Sequence, residues 1–303
     1  MTNTRQTYAG IRSESTLVAL IGLKRAAFME LCASFGTHWH TYISVHTLDG
    51  KVRKRRPTQK KHDVLPTDAD KLYFILKYLK NNPLQEAIAH DFGIPQPHAN
   101  LWIHALLPVL RQTLISMRYA PSREGSQLSA ILEQYDFVLL DVSERRIERP
   151  EDAKEQEASY SGKKKAHTVK NAIITAPNKA VLFASTTVEG SVHDKALTDD
   201  AALELSSLVV VLADSGFQGF EAGEATILIP CKKPPGKEHP KHHKDWNKAL
   251  AKVRVKVEHA IANIKTFRMV KDTIRLRKAS LRDMVFEISC GLANLRLNTQ
   301  VSK

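Results

Sequence analysis

The chain has 303 residues and a formal net charge of +13. That length is enough for two domains with their own cores, and no apolar run approaches the roughly 20 residues a membrane-spanning helix needs, so no membrane partner is expected. The charge attracts polyanions over a Debye length. The separated Cys32, Cys231 and Cys290 exclude a disulfide framework and a paired-cysteine zinc knuckle. The N-terminus lacks a secretory pattern, which points to the cytoplasm.

Residues 13–35 carry apolar positions at helical spacing behind polar capping residues, predicting one or two short helices. "KVRKRRPTQKK" at 51–61 follows, with seven Lys or Arg in eleven residues, a run suited to nucleic acid. From 69, "ADKLYFILKYLKNN" predicts a helix with an apolar face, closed by Asn81, Asn82 and Pro83. In "LQEAIAHDFGIPQPHANLWIHALLPVL" (84–110), Ala89 supplies a small contact residue and Gly93 a turn position with positive φ. Ile88, Phe92, Ile94, Ala99 and Trp102 supply the packing of a helix-turn-helix. Its second helix, opened by Pro97, would present Gln96, His98 and Asn100 to a groove.

Strand texture begins after a polar link at about 120–134. "FVLLDVSERRI", "KKAHTVKNAIITA" and "KAVLFASTTVEG" form an antiparallel meander that turns at Pro177-Asn178. A helical pattern spans 191–207, "LVVVLAD" (208–214) reads as a fully buried strand, and "ATILIP" (225–230) as a short one. A basic, Pro-broken stretch at 231–248 leads into two closing helices. The order β-β-β-α-β-β-α-α is that of a ribonuclease-H-like mixed α/β sheet with flanking helices, preceded by a small all-α helix-turn-helix domain. The expected divisions are an N-terminal helical and basic region at 1–68, the helix-turn-helix domain at 69–118 and the catalytic domain at 132–303.

Two of these strands end on a carboxylate, Asp141 and Asp214. In that topology the first and fourth strands are neighbours, so the two acids meet although distant in sequence. Paired carboxylates suit hard divalent cations, Mg²⁺ or Mn²⁺, and two such ions can clamp the attacking and leaving oxygens of a phosphodiester. The third acid is Glu258 on the first closing helix. At about 100° per residue, Arg254, Glu258 and Lys265 fall on one stripe, while Val253, Val257, Ala260 and Ile264 face the sheet. Lys163, Lys164, Lys165 and His167 are candidates for phosphate contacts along a DNA track, and a basic edge that resists aggregation explains the three lysines equally well. Asp194 reads as a helix N-cap.

The segments "DVSERRIERP", "YSGKKKAHTVKN", "VEGSVHD", "ADSGFQG" and "RVKVEHAIANIKTFR" resemble those of a bacterial insertion-sequence transposase of the DDE type, in the insertion-sequence-five group related to Harbinger nucleases, over about 69–299. The resemblance implies Asp141, Asp214 and Glu258 as the acidic triad and metal ligands. Arg254 and Lys265 match the Arg and Lys of a Tyr-Arg-Glu-Lys signature, with Ala251 at the tyrosine position. It further implies a homo-oligomer on double-stranded DNA, acting on the element's terminal repeats and on target DNA near the nucleoid. Two rival readings are a helix-turn-helix regulator with a lapsed nuclease domain and a host-adopted nuclease.

Overall fold

The structure, a computed structural model, describes residues 6–55, 64–125, 128–199, 203–233, 236 and 238–301. Most of the basic run's second half, 56–61, and positions 234, 235 and 237 of the later basic stretch lie outside the described residues. The chain divides into two compact units: 1–120 with 265–272 and 284–303, and 121–264 with 273–283.

The first unit is helical. It holds α1 (Glu14–Ile21), α2 (Arg25–Val45), α3 (Asp68–Asn81), α4 (Gln85–Asp91) and α5 (Gln96–Ser116). α3 is its centre: every residue from Asp70 to Leu79 is buried. Thr67 and Asp70 form a reciprocal capping box at its start, and Asn82 ends it in the left-handed region at φ 47°. Two buried lysines on α3 keep polar partners, Lys77 pairing with Asp91 and Lys71 lying 3.7 Å from Asp68. α2 crosses the start of α3 so closely that a β-carbon on Gly36 would stand 2.7 Å from Asp68 Oδ2. The second predicted helix is therefore long rather than short, at 21 residues.

α4 and α5 form the expected helix-turn-helix. Gly93 takes φ 62° at the turn, and Ile88, Ala89, Phe92, Ile94, Ala99 and Trp102 are all buried. Trp102 packs against Trp39 of α2, ring centroids 5.5 Å apart.

The second unit is a mixed sheet with flanking helices. After α6 (Ser129–Leu132) comes β1 (Val138–Arg146), then α7 (Ala153–Ser159), β2 (Tyr160–Ser161), β3 (Ala166–Thr175), β4 (Val181–Ala184), β5 (Val188–Glu189) and α8 (Asp194–Asp199). β6 (Val210–Leu212), β7 (Thr226–Leu228) and α9 (Lys241–Ile264) follow. α10 (Arg268–Lys271) groups with the first unit, as does α11 (Ala279–Val301) from 284 onward. The strand order is β2-β3-β1-β6-β7, with β4 and β5 also on β3. β1 runs antiparallel to β3 over eight paired positions, Leu139↔Thr175 to Arg146↔Thr168, and parallel to β6 at Val138↔Val211 and Leu139↔Leu212.

Period-two alternation sorts the faces of β1. Val138 and Leu140 join Ala172, Ile174, Phe183, Leu197, Val211 and Phe217 in the main core. Leu139, Asp141, Ser143 and Arg145 point to the other side; α9 packs on β1 and buries Leu250, Val257, Ala260 and Ile264. On that side Arg145, 2% exposed, donates to Asn171 Oδ1 and to Thr187 Oγ1 at 3.3 Å. Asp283 accepts from Thr187 and pairs with Arg123 at 2.6 Å. Burial pushes its carboxyl up, yet Arg123 and the Thr187 bonds outweigh that and hold it below the usual range.

Two predicted elements differ. The 191–207 helix is confined to Asp194–Asp199 among the described residues, and Leu203 and Leu205 enter the core from a stretch outside any helix or strand. Alternating burial of leucines satisfies an extended chain as well as a helix. The strand at 208–214 is not buried throughout: Leu208 is 72% exposed in a turn, and pairing begins at Val210.

Gly190 shows why a motif glycine is needed. A β-carbon there would meet Thr168 Oγ1 at 2.0 Å and the backbone oxygens of Ser159 and Thr168 at 2.7 and 2.8 Å. Gly190→Ala is expected to destabilise the protein by about 1–3 kcal/mol, the usual cost of overpacking, read as a lower denaturation midpoint; an unchanged midpoint would refute the close approach.

Candidate active site and DNA-reading helix

The parallel register of β1 and β6 brings the two acids together. Asp141 stands two residues beyond Leu139, and Asp214 two beyond its partner Leu212, so the same advance along neighbouring strands carries both carboxylates to one point. Each is tethered through one oxygen. Asp141 Oδ1 accepts the Val142 N–H at 2.8 Å. Asp214 Oδ1 accepts the Ser215 N–H and, at 3.1 Å, the Ser215 hydroxyl, capping the 3₁₀ turn Ser215–Phe217. The Oδ2 atom of each takes no hydrogen bond among the described residues.

Burial pushes the Asp141 carboxyl above its ordinary range. The Val142 N–H and Arg254 oppose the shift, while the charges of Asp214 and Asp194 add to it. Arg254, projecting from α9, reaches Asp214 Oδ1 with Nη1 at 3.7 Å. Its Nε is buried without a hydrogen-bond partner. A guanidinium with an unused buried donor beside two carboxylates is suited to an acceptor brought from outside, such as a phosphate oxygen.

Glu258 lies one turn beyond Arg254 on α9, on the same side of the helix, and is exposed. No group of three His, Cys, Asp or Glu side chains close enough to hold a metal occurs among the described residues. The geometry thus unites Asp141, Asp214 and Arg254, with Glu258 exposed four residues further along α9. Lys265 follows the last residue of α9 in the stretch grouped with the first unit, so the stripe drawn through it outruns the helix.

One acid that sequence reasoning assigned to capping does something else. Asp194 is the first residue of α8 rather than its cap, and its Oδ1 pairs with Lys170 Nζ at 3.0 Å. Its Oδ2 lies 3.9 Å from where a β-carbon on Gly216 would stand, against the turn that follows Asp214. Lys170 also donates to Val192 O at 2.8 Å. The available signal was a lysine on the face of β3 that otherwise buries Ala172 and Ile174.

Lys163, Lys164 and Lys165 are exposed in the turn between β2 and β3, with Lys165 at φ 50°. His167 is half-buried, bonded to Ser159 Oγ at 3.1 Å and edge-on to Tyr160. In the first unit, His98 is exposed on the opening turn of α5, and Gln96 and Asn100 are half-exposed beside it. His239 and His243 pack edge-on, ring centroids 5.6 Å apart, and His242 packs on His243 at 4.3 Å.

A mixed sheet that sets two strand-end carboxylates beside an arginine, joined to a helix-turn-helix, defines a class of proteins that act on DNA. The chain belongs to the DDE superfamily endonucleases, whose family matches residues 140–294. Residues 65–115 match the helix-turn-helix of the same superfamily. The chain is similar to the probable transposase for insertion sequence element IS702 of Microchaete diplosiphon, 26% identical over 74% of this chain and 78% of that one. It is also similar to the putative transposase for insertion sequence element IS112 of Streptomyces albus G, 23% identical over 73% and 75%. No solved structure matches it significantly, and no helix among the described residues is long and apolar enough to cross a membrane.

The Asp141 shift has a thermodynamic sign. A folded state that holds this proton more tightly than the unfolded chain gains stability that is full below the ordinary value of 3.8 and lost as pH rises through the raised folded value. Asp141→Asn is therefore expected to melt higher than the parent at pH 7, by on the order of a few degrees, with the gap closing in acid. A lower melting temperature at pH 7 would contradict the assignment.

Proposed function

We propose that the protein is an insertion-sequence transposase that cleaves DNA at the ends of its element and joins them to target DNA. The observation that carries this is the convergence of Asp141 and Asp214 beside the unpaired Arg254 Nε. The second unit is read as ribonuclease-H-like: a central β1 flanked by an antiparallel β3 and a parallel β6, with α9 over the carboxylates.

The donor set is oxygen-only. The two untethered Oδ2 atoms suit Mg²⁺ or Mn²⁺, which supply Lewis-acid stabilisation of the reacting phosphate and a lowered pKa for water. Asp141 and Asp214 would hold the cations, and Glu258 would be the third carboxylate of the set. Arg254 binds a non-bridging phosphate oxygen and so opposes the charge that develops at phosphorus. Lys265 is assigned a similar role from the signature it matches.

In the first step a water oxygen bonds to phosphorus as the 3′-oxygen leaves. In the second that 3′-hydroxyl attacks a target phosphodiester, forming one P–O bond while breaking another. Bond count is conserved in each, so one site serves both without ATP. The helix-turn-helix holds the terminal repeat, Lys163, Lys164, Lys165 and His167 track the backbone, and two ends require at least a dimer.

Nicking of a duplex carrying the element's terminal repeats, in Mg²⁺, is expected to fall at least about 100-fold in Asp141→Asn, Asp214→Asn, Glu258→Gln and Arg254→Met, with duplex binding retained. Binding without cleavage by the parent in either metal would favour the regulator. Lys170 and Asp194 provide a test of the site's charge. Asp194→Asn is expected to weaken Mn²⁺ binding by electron paramagnetic resonance, and Lys170→Met to strengthen it, each roughly three- to tenfold. Shifts in the same direction would show structural damage instead.

A further inference from the structure

We propose that Gln85 is a specificity-determining positioning residue that commits Gln96 and Asn100 to reading adenine. This rests on the reading of α5 as the helix that enters the groove.

Gln85 opens α4 and is half-buried at the mouth of the helix-turn-helix. Its single carbonyl oxygen, Oε1, accepts from Gln96 Nε2 at 2.6 Å and from Asn100 Nδ2 at 3.2 Å. Gln96 and Asn100 are four apart on the opening turns of α5, so one residue from the first helix holds both candidate base-reading amides of the second. A primary amide carries two N–H donors and one carbonyl. With one N–H of each committed inward, each amide keeps one N–H and its carbonyl for the groove. That donor-acceptor pair is the complement of adenine N7 and N6 on the major-groove edge.

Without an inner partner, either amide can rotate by half a turn and exchange the two groups. With Gln85 Oε1 behind them, a rotation of either reader alone sets carbonyl against carbonyl and loses a hydrogen bond, so the two exchange only together with a half-turn of Gln85's own amide. Both readers are thus held to one common orientation before DNA arrives, the one in which Gln85 Oε1 faces them, by a residue that itself need not touch a base.

The experiment selects binding sites for the full-length protein from a randomised duplex pool and measures relative affinity at each selected position. The parent is expected to select two A·T pairs whose preference is lost in Gln96→Ala and Asn100→Ala. Gln85→Leu, which removes the acceptor at similar size, is expected to cut discrimination at both pairs roughly tenfold. Gln85→Glu, which can only accept, is expected to weaken binding to every sequence by charge repulsion while keeping the preference. Gln85→Lys, which can only donate, draws the carbonyls inward and is expected to shift the preference toward guanine, whose groove edge offers acceptors alone. Loss of preference in Gln85→Glu with its retention in Gln85→Lys would overturn the assignment, as would full discrimination in Gln85→Leu. If Asn100→Ala and Gln96→Ala leave the selected sequence unchanged, the reading of α5 fails as well; if they alter it and Gln85→Leu does not, only the role of Gln85 fails.

Discussion

The parallel pairing of β1 with β6 is the constraint on which the site depends. Only two residue pairs define it, Val138↔Val211 and Leu139↔Leu212, yet it converts a separation of dozens of residues into adjacency. Everything that stabilises these two strands also positions the carboxylates: the shared core of Val138, Leu140 and Val211 on one face, and α9 on the other. A parallel pair needs a long crossover, and here β3, β4, β5 and α8 lie between the two strands in the chain. The motif segments in that crossover therefore serve the site indirectly. Gly190 lets the chain pass against β3, and Lys170 anchors Asp194 against the turn after Asp214.

Bringing acids together costs stability. The raised Asp141 carboxyl records a group that burial and its acidic neighbours disfavour in its charged form. Arg254 opposes this only in part, because it reaches Asp214 at 3.7 Å and keeps one buried donor idle. On the proposed reading, this excess negative charge and the idle guanidinium N–H are what cations and a phosphate would meet. The network of Arg145, Asn171, Thr187, Asp283 and Arg123 has a different character. Its acid, Asp283, is paired with Arg123 at 2.6 Å and accepts from Thr187, whereas Arg254 stands 3.7 Å from Asp214.

Much of this was legible in the sequence, for identifiable reasons. The helix-turn-helix was readable because its packing demands are local: Gly93 at the turn and six apolar positions within fifteen residues, all buried. Asp141 and Asp214 stood out because a carboxylate terminating an apolar run conflicts with its surroundings. What was not legible involved choices made in space. Leu203 and Leu205 fit a helical and a non-helical reading equally, and they enter the core from a stretch outside any helix or strand. Asp194 occupies a position where capping is common, and only the approach of β3 shows that its partner is Lys170. The stripe through Arg254 and Glu258 stays on α9, which ends at Ile264, so Lys265 stands one residue past the helix. Gln85 carried no signal, since its importance lies in two amides that reach it from another helix.

The most direct test of the central claim is a crystal structure of the protein soaked in Mn²⁺, with data collected at the manganese absorption edge. The account predicts an anomalous peak between the Oδ2 atoms of Asp141 and Asp214, at about 2.0–2.2 Å from each, the octahedral carboxylate range for cations of this size. An ordered Mn²⁺ bound elsewhere on the second unit, with these two carboxylates turned apart and empty, would contradict it.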